Sequence, residues 1–318
     1  MNDIQDGPPI EIYLGEEQLE IRRMLRSALR SIQLDALIDF EDFEPLREAV
    51  DEGFPDLIIV DSDLAGGDVS TLVRDIRHNN LGKNPFVPVI VTTWRNTKER
   101  VRELIDIGAD GLLIKPISNN AIQSHVNFIV NERKPFVVTS SYIGPDRRKD
   151  PKHTSNVPLI EVPNTLKAKV NGEPVDPGVL QQLIVSRSKK INVERLRRNA
   201  FELSFIVELA LAHHASEAPD AKLMANLKRL HHVVEDTIER LRGSDFEDSL
   251  ELCEALLRVV KSLVENDAAP ARVDLQFLKP LTDGILVGFY PERTQSDMTQ
   301  EIIHSINLYE KRQKARED

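Results

Sequence analysis

Glu16, Glu17, Asp61, Thr92, Thr93 and Lys115 are residues able to handle negatively charged oxygen, and each stands at the end of a short aliphatic run: IEIYLGEE, DLIIVDSD, VPVIVTT and GLLIKP. Three acids, a hydroxyl and an ammonium brought to one edge would form a reactive pocket. Clustered carboxylates raise one another's pKa unless a cation sits among them. Mg²⁺, which uses one or two carboxylates and keeps several waters, fits better than Zn²⁺, for which this region has no Cys and no suitably placed His. With Mg²⁺ present, one carboxylate can attack a phosphoryl donor to give an acyl phosphate. The metal, ammonium and hydroxyl then stabilise charge on the phosphoryl oxygens. Asp61 is the natural nucleophile. Each residue also has a plain structural reading: Asp61 as a turn former, Glu16 and Glu17 as acids at a helix N-terminus, Lys115 as a loop lysine and Thr92 as a β-branched strand end.

The elements that would position these residues are legible in the apolar pattern. Expected strands are 10–14, 34–38, 56–60, 87–92 and 111–115, alternating with segments of helical spacing such as Ile21, Leu25, Ala28 and Leu29. Alternation of this kind implies βα units around a parallel sheet buried on both faces. In such doubly wound sheets the site lies outside the carboxyl ends of the strands, where the winding order reverses. Residues 134–178 change character, with Pro, Ser, Thr and Gly scattered through FVVTSSYIGPDRRKDPKHTSNVP and NGEPVDPG. They read as a linker crossed by one or two short strands (FVVTS, LIEVP), and YIGPDRRK (142–149) reads as a turn with a basic end. From Val179 the period is helical. Helices are expected through Leu196–Leu211, Leu223–Leu241 and Phe246–Leu263, with Gly243 as a stop and Ser244 with Glu247 as a capping box. After a less regular stretch, VDLQFLKPLTDGILVGFYP, Ile302, Ile306 and Tyr309 mark a last helix in a bundle.

EEQLEIRRML (16–25), DLIIVDSDL (56–64), VPVIVTT (87–93) and GADGLLIKP (108–116), in this order, resemble the receiver domain of bacterial two-component response regulators. The resemblance implies a flavodoxin-like α/β fold, with a five-stranded doubly wound parallel sheet over residues 8–133, followed by the mostly α-helical half at 179–318. It implies that Asp61 is the phosphoacceptor, that Glu16, Glu17, Asp61 and the Asp63 backbone carbonyl hold Mg²⁺, and that Thr92 and Lys115 engage the phosphoryl group. Pro116, often preceded by a cis peptide bond in such receivers, would shape the loop that aims Lys115. Four positions depart from the usual pattern: the Glu-Glu pair where Asp is common, Ala65 and Val69 where Pro and Gly are common, Thr93 where a smaller residue is common, and Leu112 where an aromatic is common.

Composition bounds the remainder. A 318-residue chain is about two domains long. The single Cys253 excludes an intrachain disulfide and points to a reducing, cytoplasmic compartment. MNDIQDGPP lacks the basic and apolar regions of a secretory signal, and no apolar stretch approaches a membrane span. A net charge of −11 argues against nucleic acid as a partner, although SRSKKINVERLRRN (186–199) is locally basic. His213, His214, His231 and His232 lie in no phosphotransfer motif, and adjacent histidines on a helix point in different directions, which weakens a metal reading. The segment carries no diguanylate cyclase, phosphodiesterase or hydrolase signature, so no separate enzyme is expected. The expected partners are a sensor histidine kinase or phosphotransfer protein for the receiver, and a downstream protein or second copy of the chain for the helical half. The rival readings are a pseudo-receiver scaffold that takes no phosphate, and a transcriptional regulator with an atypical DNA-binding bundle.

Overall fold

The computed structural model describes residues 9–148, 157–214, 221–265 and 272–317. It contains two compact units, 1–190 and 191–318.

In the first unit, five strands alternate with five helices: β1 (Ile12–Gly15), α1 (Leu19–Arg30), β2 (Leu37–Phe40), α2 (Phe43–Glu52), β3 (Leu57–Asp61), α3 (Val69–Arg77), β4 (Val89–Thr93), α4 (Lys98–Asp106), β5 (Gly111–Ile114) and α5 (Asn119–Glu132). The strands form one parallel sheet in the order β2-β1-β3-β4-β5. Every residue of β1, β3 and β4 is buried, which is why these strands are continuous aliphatic runs rather than alternating ones. One core, with Ile58, Val60, Leu72 and Val91, fills one side of the sheet. The other, with Leu14, Leu25, Ile59 and Ile122, fills the opposite side. The winding reverses between β1 and β3, so the carboxyl ends of these neighbours open on one crevice. The register places Asp61 opposite Thr92 across β3 and β4. Gly15 permits the close packing at the end of β1, since a Cβ there would lie 2.7 Å from Leu46 Cδ2.

The segment after α5 is folded onto this unit. β6 (Phe136–Val138) and β7 (Ile143–Pro145) pair antiparallel, and Ile160 bridges to Phe136. The YIGPDRRK segment thus begins as a strand rather than a turn, and LIEVP contributes a single bridge. Residue Lys149 of that motif lies outside the described residues. α6 (Thr165–Val170) places Leu166 in the same core as α5's Ile122, Val126 and Ile129. Gly108, at φ +93°, lets the loop before β5 meet β7, because a Cβ there would lie 2.3 Å from the Ile143 carbonyl oxygen.

α7 (Pro177–His214) runs through the division between the units at Lys190/Ile191, twelve residues beyond the linker end read from the sequence. The second unit continues with α8 (Ala221–Leu241), α9 (Leu250–Glu265), α10 (Arg272–Phe289) and α11 (Gln295–Glu317). Leu203, Val207, Leu230, Val234, Leu256, Val260, Leu278 and Phe289 share one core. Two local expectations are corrected. The irregular-looking stretch is α10, a helix with Pro280 inside it. A proline in a helix interior costs about 3 kcal/mol, but Leu275, Leu278, Ile285, Leu286 and Phe289 are all buried from this helix, each worth about 1.5–3 kcal/mol. The capping box at Ser244 and Glu247 does not form either. Ser244 Oγ accepts from Phe246 N, a 3-10 turn occupies Glu247–Ser249, and α9 starts at Leu250. Gly243, at φ +68°, does stop α8.

Candidate functional site

Asp61 ends β3, and Glu16 directly follows β1 on the neighbouring strand. Lys115 follows β5, and its ammonium lies 2.6 Å from Glu16 Oε2 and 2.6 Å from Asp61 Oδ2. All three are buried. The ammonium sits between the two buried carboxylates and offsets the repulsion between them. The Lys115–Pro116 peptide bond is cis. Asp61 Oδ1 accepts from Asp63 N at 3.3 Å, which folds the loop back over the strand end.

The hydroxyls differ from one another. Thr92 Oγ1 is buried with no hydrogen-bond partner, on the strand paired with β3. Buried hydroxyls are nearly always satisfied, so an orphan beside an acid–base cluster marks a place where a further acceptor belongs. Thr93 Oγ1 is engaged, accepting from Ser62 Oγ at 2.9 Å and from Arg95 N at 3.1 Å. Trp94 is half exposed, with Lys115 Nζ 5.8 Å from its ring centroid. Leu112 packs against the core beside α4.

The carboxylates do not all converge. Glu17 is exposed, because consecutive residues entering a helix project in different directions. Asp63 turns its carboxylate to Arg95, at 3.3 Å, and Arg100, at 4.0 Å. A divalent cation therefore has two buried carboxylates here, Glu16 and Asp61, which suffices for Mg²⁺ with water completing its shell. Elsewhere among the described residues, His231, His232 and Glu235 bring three ligand atoms within 4.8 Å of one another. The adjacent histidines meet because Glu235, four and three residues on, lies between them around the helix.

Three residues with roles at this site were not singled out from the sequence. Arg22 is buried in α1 and donates to the Glu16 and Glu17 carbonyls at 2.6 and 2.9 Å, fixing the loop that carries Glu16. Ser62 ties the loop after Asp61 to Thr93. Arg100 pairs with Asp63 and reaches the Ser62 carbonyl at 3.4 Å. Arg22 had a readable signal, a basic residue one turn into a helix that opens with acids. The other two depend on loop geometry that spacing does not encode.

With this geometry in place, residues 12–127 match the family described as the response regulator receiver domain. This part of the chain is a receiver domain, N-terminal to the helical region. Among curated proteins, the KDP operon transcriptional regulatory protein KdpE of Escherichia coli (strain K12) is 34% identical over 118 residues, 36% of this chain and 48% of its own. The phosphate regulon transcriptional regulatory protein PhoB of the same organism is 27% identical over 128 residues, 40% of this chain and 54% of its own. The chain thus spans about half the length of the curated relatives it matches. A solved receiver domain of a sensor histidine kinase from Pseudomonas aeruginosa PAO1, described with magnesium coordinated in its active-site cleft, is 22% identical with a TM-score of 0.33, covering 37% of this chain and 93% of its own. Both curated relatives are named transcriptional regulators, so the expectation against nucleic acid has no support from them. No helix among the described residues is long and apolar enough to cross a membrane.

Proposed function

We propose that the chain is a phosphorelay response regulator whose Asp61 accepts a phosphoryl group from a phosphohistidine on a sensor histidine kinase or phosphotransfer protein. An Asp61 carboxylate oxygen attacks phosphorus and the P–N bond breaks. Its electron pair returns to the imidazole, which takes up a proton. The observation that carries this reading is Lys115 Nζ at 2.6 Å from both Glu16 and Asp61, beside a buried and unpartnered Thr92 hydroxyl. Lys115 and Thr92 would hold phosphoryl oxygens, with the Pro116 turn aiming Lys115. Glu16, Asp61 and the Asp63 carbonyl would hold Mg²⁺, whose role when bound is to offset charge on the transferred group. Two carboxylates and one ammonium leave the pocket one negative charge in excess. Conversion of Asp61 to a doubly charged acyl phosphate leaves two, which a divalent cation balances. Glu17, exposed in the structure, is outside this set.

The helical half is the output module, acting on a protein partner or a second copy of the chain. Its exposed Phe277, Val287 and Ile303 support this role. The relatives' names favour a second reading in which the output acts on DNA. Against it, two arginines of the basic stretch 186–199 are engaged within the helical unit: Arg195 pairs with Asp236 at 3.1 Å, and Arg197 with Glu292 at 3.2 Å while stacking on Tyr290.

Incubation with Mg²⁺ and a small acyl-phosphate donor tests the main reading by intact mass. The expected result is one added phosphoryl group in the wild type and none in Asp61→Asn or without Mg²⁺. Equal labelling of both proteins contradicts Asp61 as the acceptor, and labelling of neither contradicts the reading and leaves the pseudo-receiver scaffold. Salt-dependent binding to duplex DNA that is lost on neutralising Arg197 and Arg198 would establish the second reading.

A further inference from the structure

At the opposite edge of the sheet from Asp61, the structure gathers cations in a protein whose net charge is −11. Asp110, just before β5, receives Arg77 Nη2 at 2.8 Å, Arg133 Nε at 2.7 Å and Val89 N at 2.9 Å. Around it stand Lys134, Arg147 and Arg148, the last paired with Asp146 at 2.8 Å. Arg147 donates to the Ala109 carbonyl. Five cations thus face two acids, both already engaged. All of these except Arg77 line a cavity of about 230 Å³, whose wall also includes Phe128, 39% exposed. A second cavity of about 340 Å³ shares Asp146, Arg147 and Arg148.

The guanidinium of Arg133 is incompletely used. Its side chain is 6% exposed; Nε is bonded to Asp110 and Nη1 reaches the Pro163 carbonyl at 3.3 Å, but Nη2 is buried with no acceptor. A buried guanidinium N–H without a partner is costly, and stacking on Phe136, 5.3 Å away, offsets only part of that. Burial lowers the Arg77 pKa to about 10, and the nearby Arg133 and Arg147 push in the same direction, against Asp110. A bound anion would relieve both the crowding and the missing acceptor.

The geometry points to a binding site for a small phosphate-bearing anion, free phosphate or a phosphomonoester, held by Arg133, Lys134 and Arg147. Guanidinium forks match tetrahedral oxyanions, and the cavity is smaller than the roughly 300 Å³ at which sites for drug-sized ligands begin. Phe128 is placed to stack on a base if the phosphate belongs to a nucleotide. The site is separate from the phosphoacceptor pocket, with the length of β5, about 13 Å, between them. It gives the basic end of the YIGPDRRK segment a ligand.

The test is calorimetric titration of the full chain with inorganic phosphate and, separately, adenosine monophosphate. Wild type, Lys134→Gln/Arg147→Gln, Arg133→Lys and Asp61→Asn are compared. Lys134 and Arg147 are exposed, so the double variant keeps the fold, which circular dichroism verifies. The expected result is saturable binding at millimolar ligand, weakened about tenfold or more in the double variant and in Arg133→Lys, and unchanged in Asp61→Asn. Equal affinity for the two ligands assigns the site to free phosphate. Tighter binding of the nucleotide, with the gain lost in Phe128→Ala, assigns it to a phosphomonoester. Binding lost in Asp61→Asn but kept in the double variant places the anion in the phosphoacceptor pocket and overturns the proposal, as does absence of binding by either ligand.

Discussion

Asp110→Asn is the substitution whose cost the structure defines most sharply. The Asp110 side chain is 2% exposed, and its partners Arg77 and Arg133 are 1% and 6% exposed. Neutralising the acid leaves two guanidinium charges away from water and turns one amide donor toward a guanidinium donor. Val89 N keeps an acceptor in the amide oxygen. Breaking a buried ion pair by removing one partner costs about 3–5 kcal/mol. At about 2–4 °C per kcal/mol for a unit of this size, the midpoint should fall by about 6–20 °C. Trp94 is the only tryptophan and lies in the first unit, so thermal unfolding followed by its fluorescence reports this unit alone. Glu103→Gln is the control: its pair with Arg100, at 3.0 Å, leaves Glu103 50% exposed, and such a pair is worth about 0.3–0.5 kcal/mol. If Asp110→Asn costs no more than Glu103→Gln, the extension β6–β7 is not held by this cluster and the reasoning fails.

The two glutamates should differ in function: Glu16→Gln weakens Mg²⁺ binding by about tenfold or more, whereas Glu17→Gln, exposed and outside the pocket, changes it less than about threefold, as calorimetry would show. Burial raises the Asp236 pKa, but Arg240, Arg195 and Asn199 outweigh it and hold the carboxyl below its ordinary range. Its stabilising effect is therefore present above the unfolded carboxylate pKa and is lost as pH falls through the lowered folded value. Acid unfolding of the helical unit below about pH 4 should lose part of its steepness in Asp236→Asn. Cys253 is fully buried and its thiol is pushed up to about 12, so a thiol reagent at pH 8 should label it only after denaturant is added; rapid labelling of the native protein would contradict the packing of α9.

The receiver was readable because its physics is local to each strand. Runs such as LIIV are buried on both faces, and the acid or lysine after each run must fall at one edge once the strands are parallel. Glu17 is exposed whereas Glu16 is buried, and spacing alone does not say which of two consecutive loop residues turns inward. β6 lies within the expected FVVTS strand, but its pairing with β7 was hidden for a different reason. The two strands are three residues each, and they are held by non-local partners, Phe136 between Arg77 and Arg133 and Gly108 against Ile143. α10 was obscured by Pro280 and two glycines, a pattern that signals loop in isolation. A Cβ on Gly288 would lie 2.8 Å from Ser249 Oγ, so this glycine serves close packing instead. The stretch 186–199 reads only as locally basic, yet its Arg195 is 7% exposed, a burial accompanied by pairing with Asp236 of α8.

The most direct measurement of whether the acidic pocket accepts a phosphoryl group uses Trp94, whose ring lies 5.8 Å from Lys115 Nζ. The full chain is titrated with Mg²⁺ and then with beryllofluoride, a stand-in for the phosphoryl group, in the wild type and in Asp61→Asn. A saturable, Mg²⁺-dependent change in Trp94 fluorescence that vanishes in Asp61→Asn is the expected result. Unchanged fluorescence in both proteins, with no Mg²⁺ binding by calorimetry, would contradict it and leave the receiver as a constitutive docking surface.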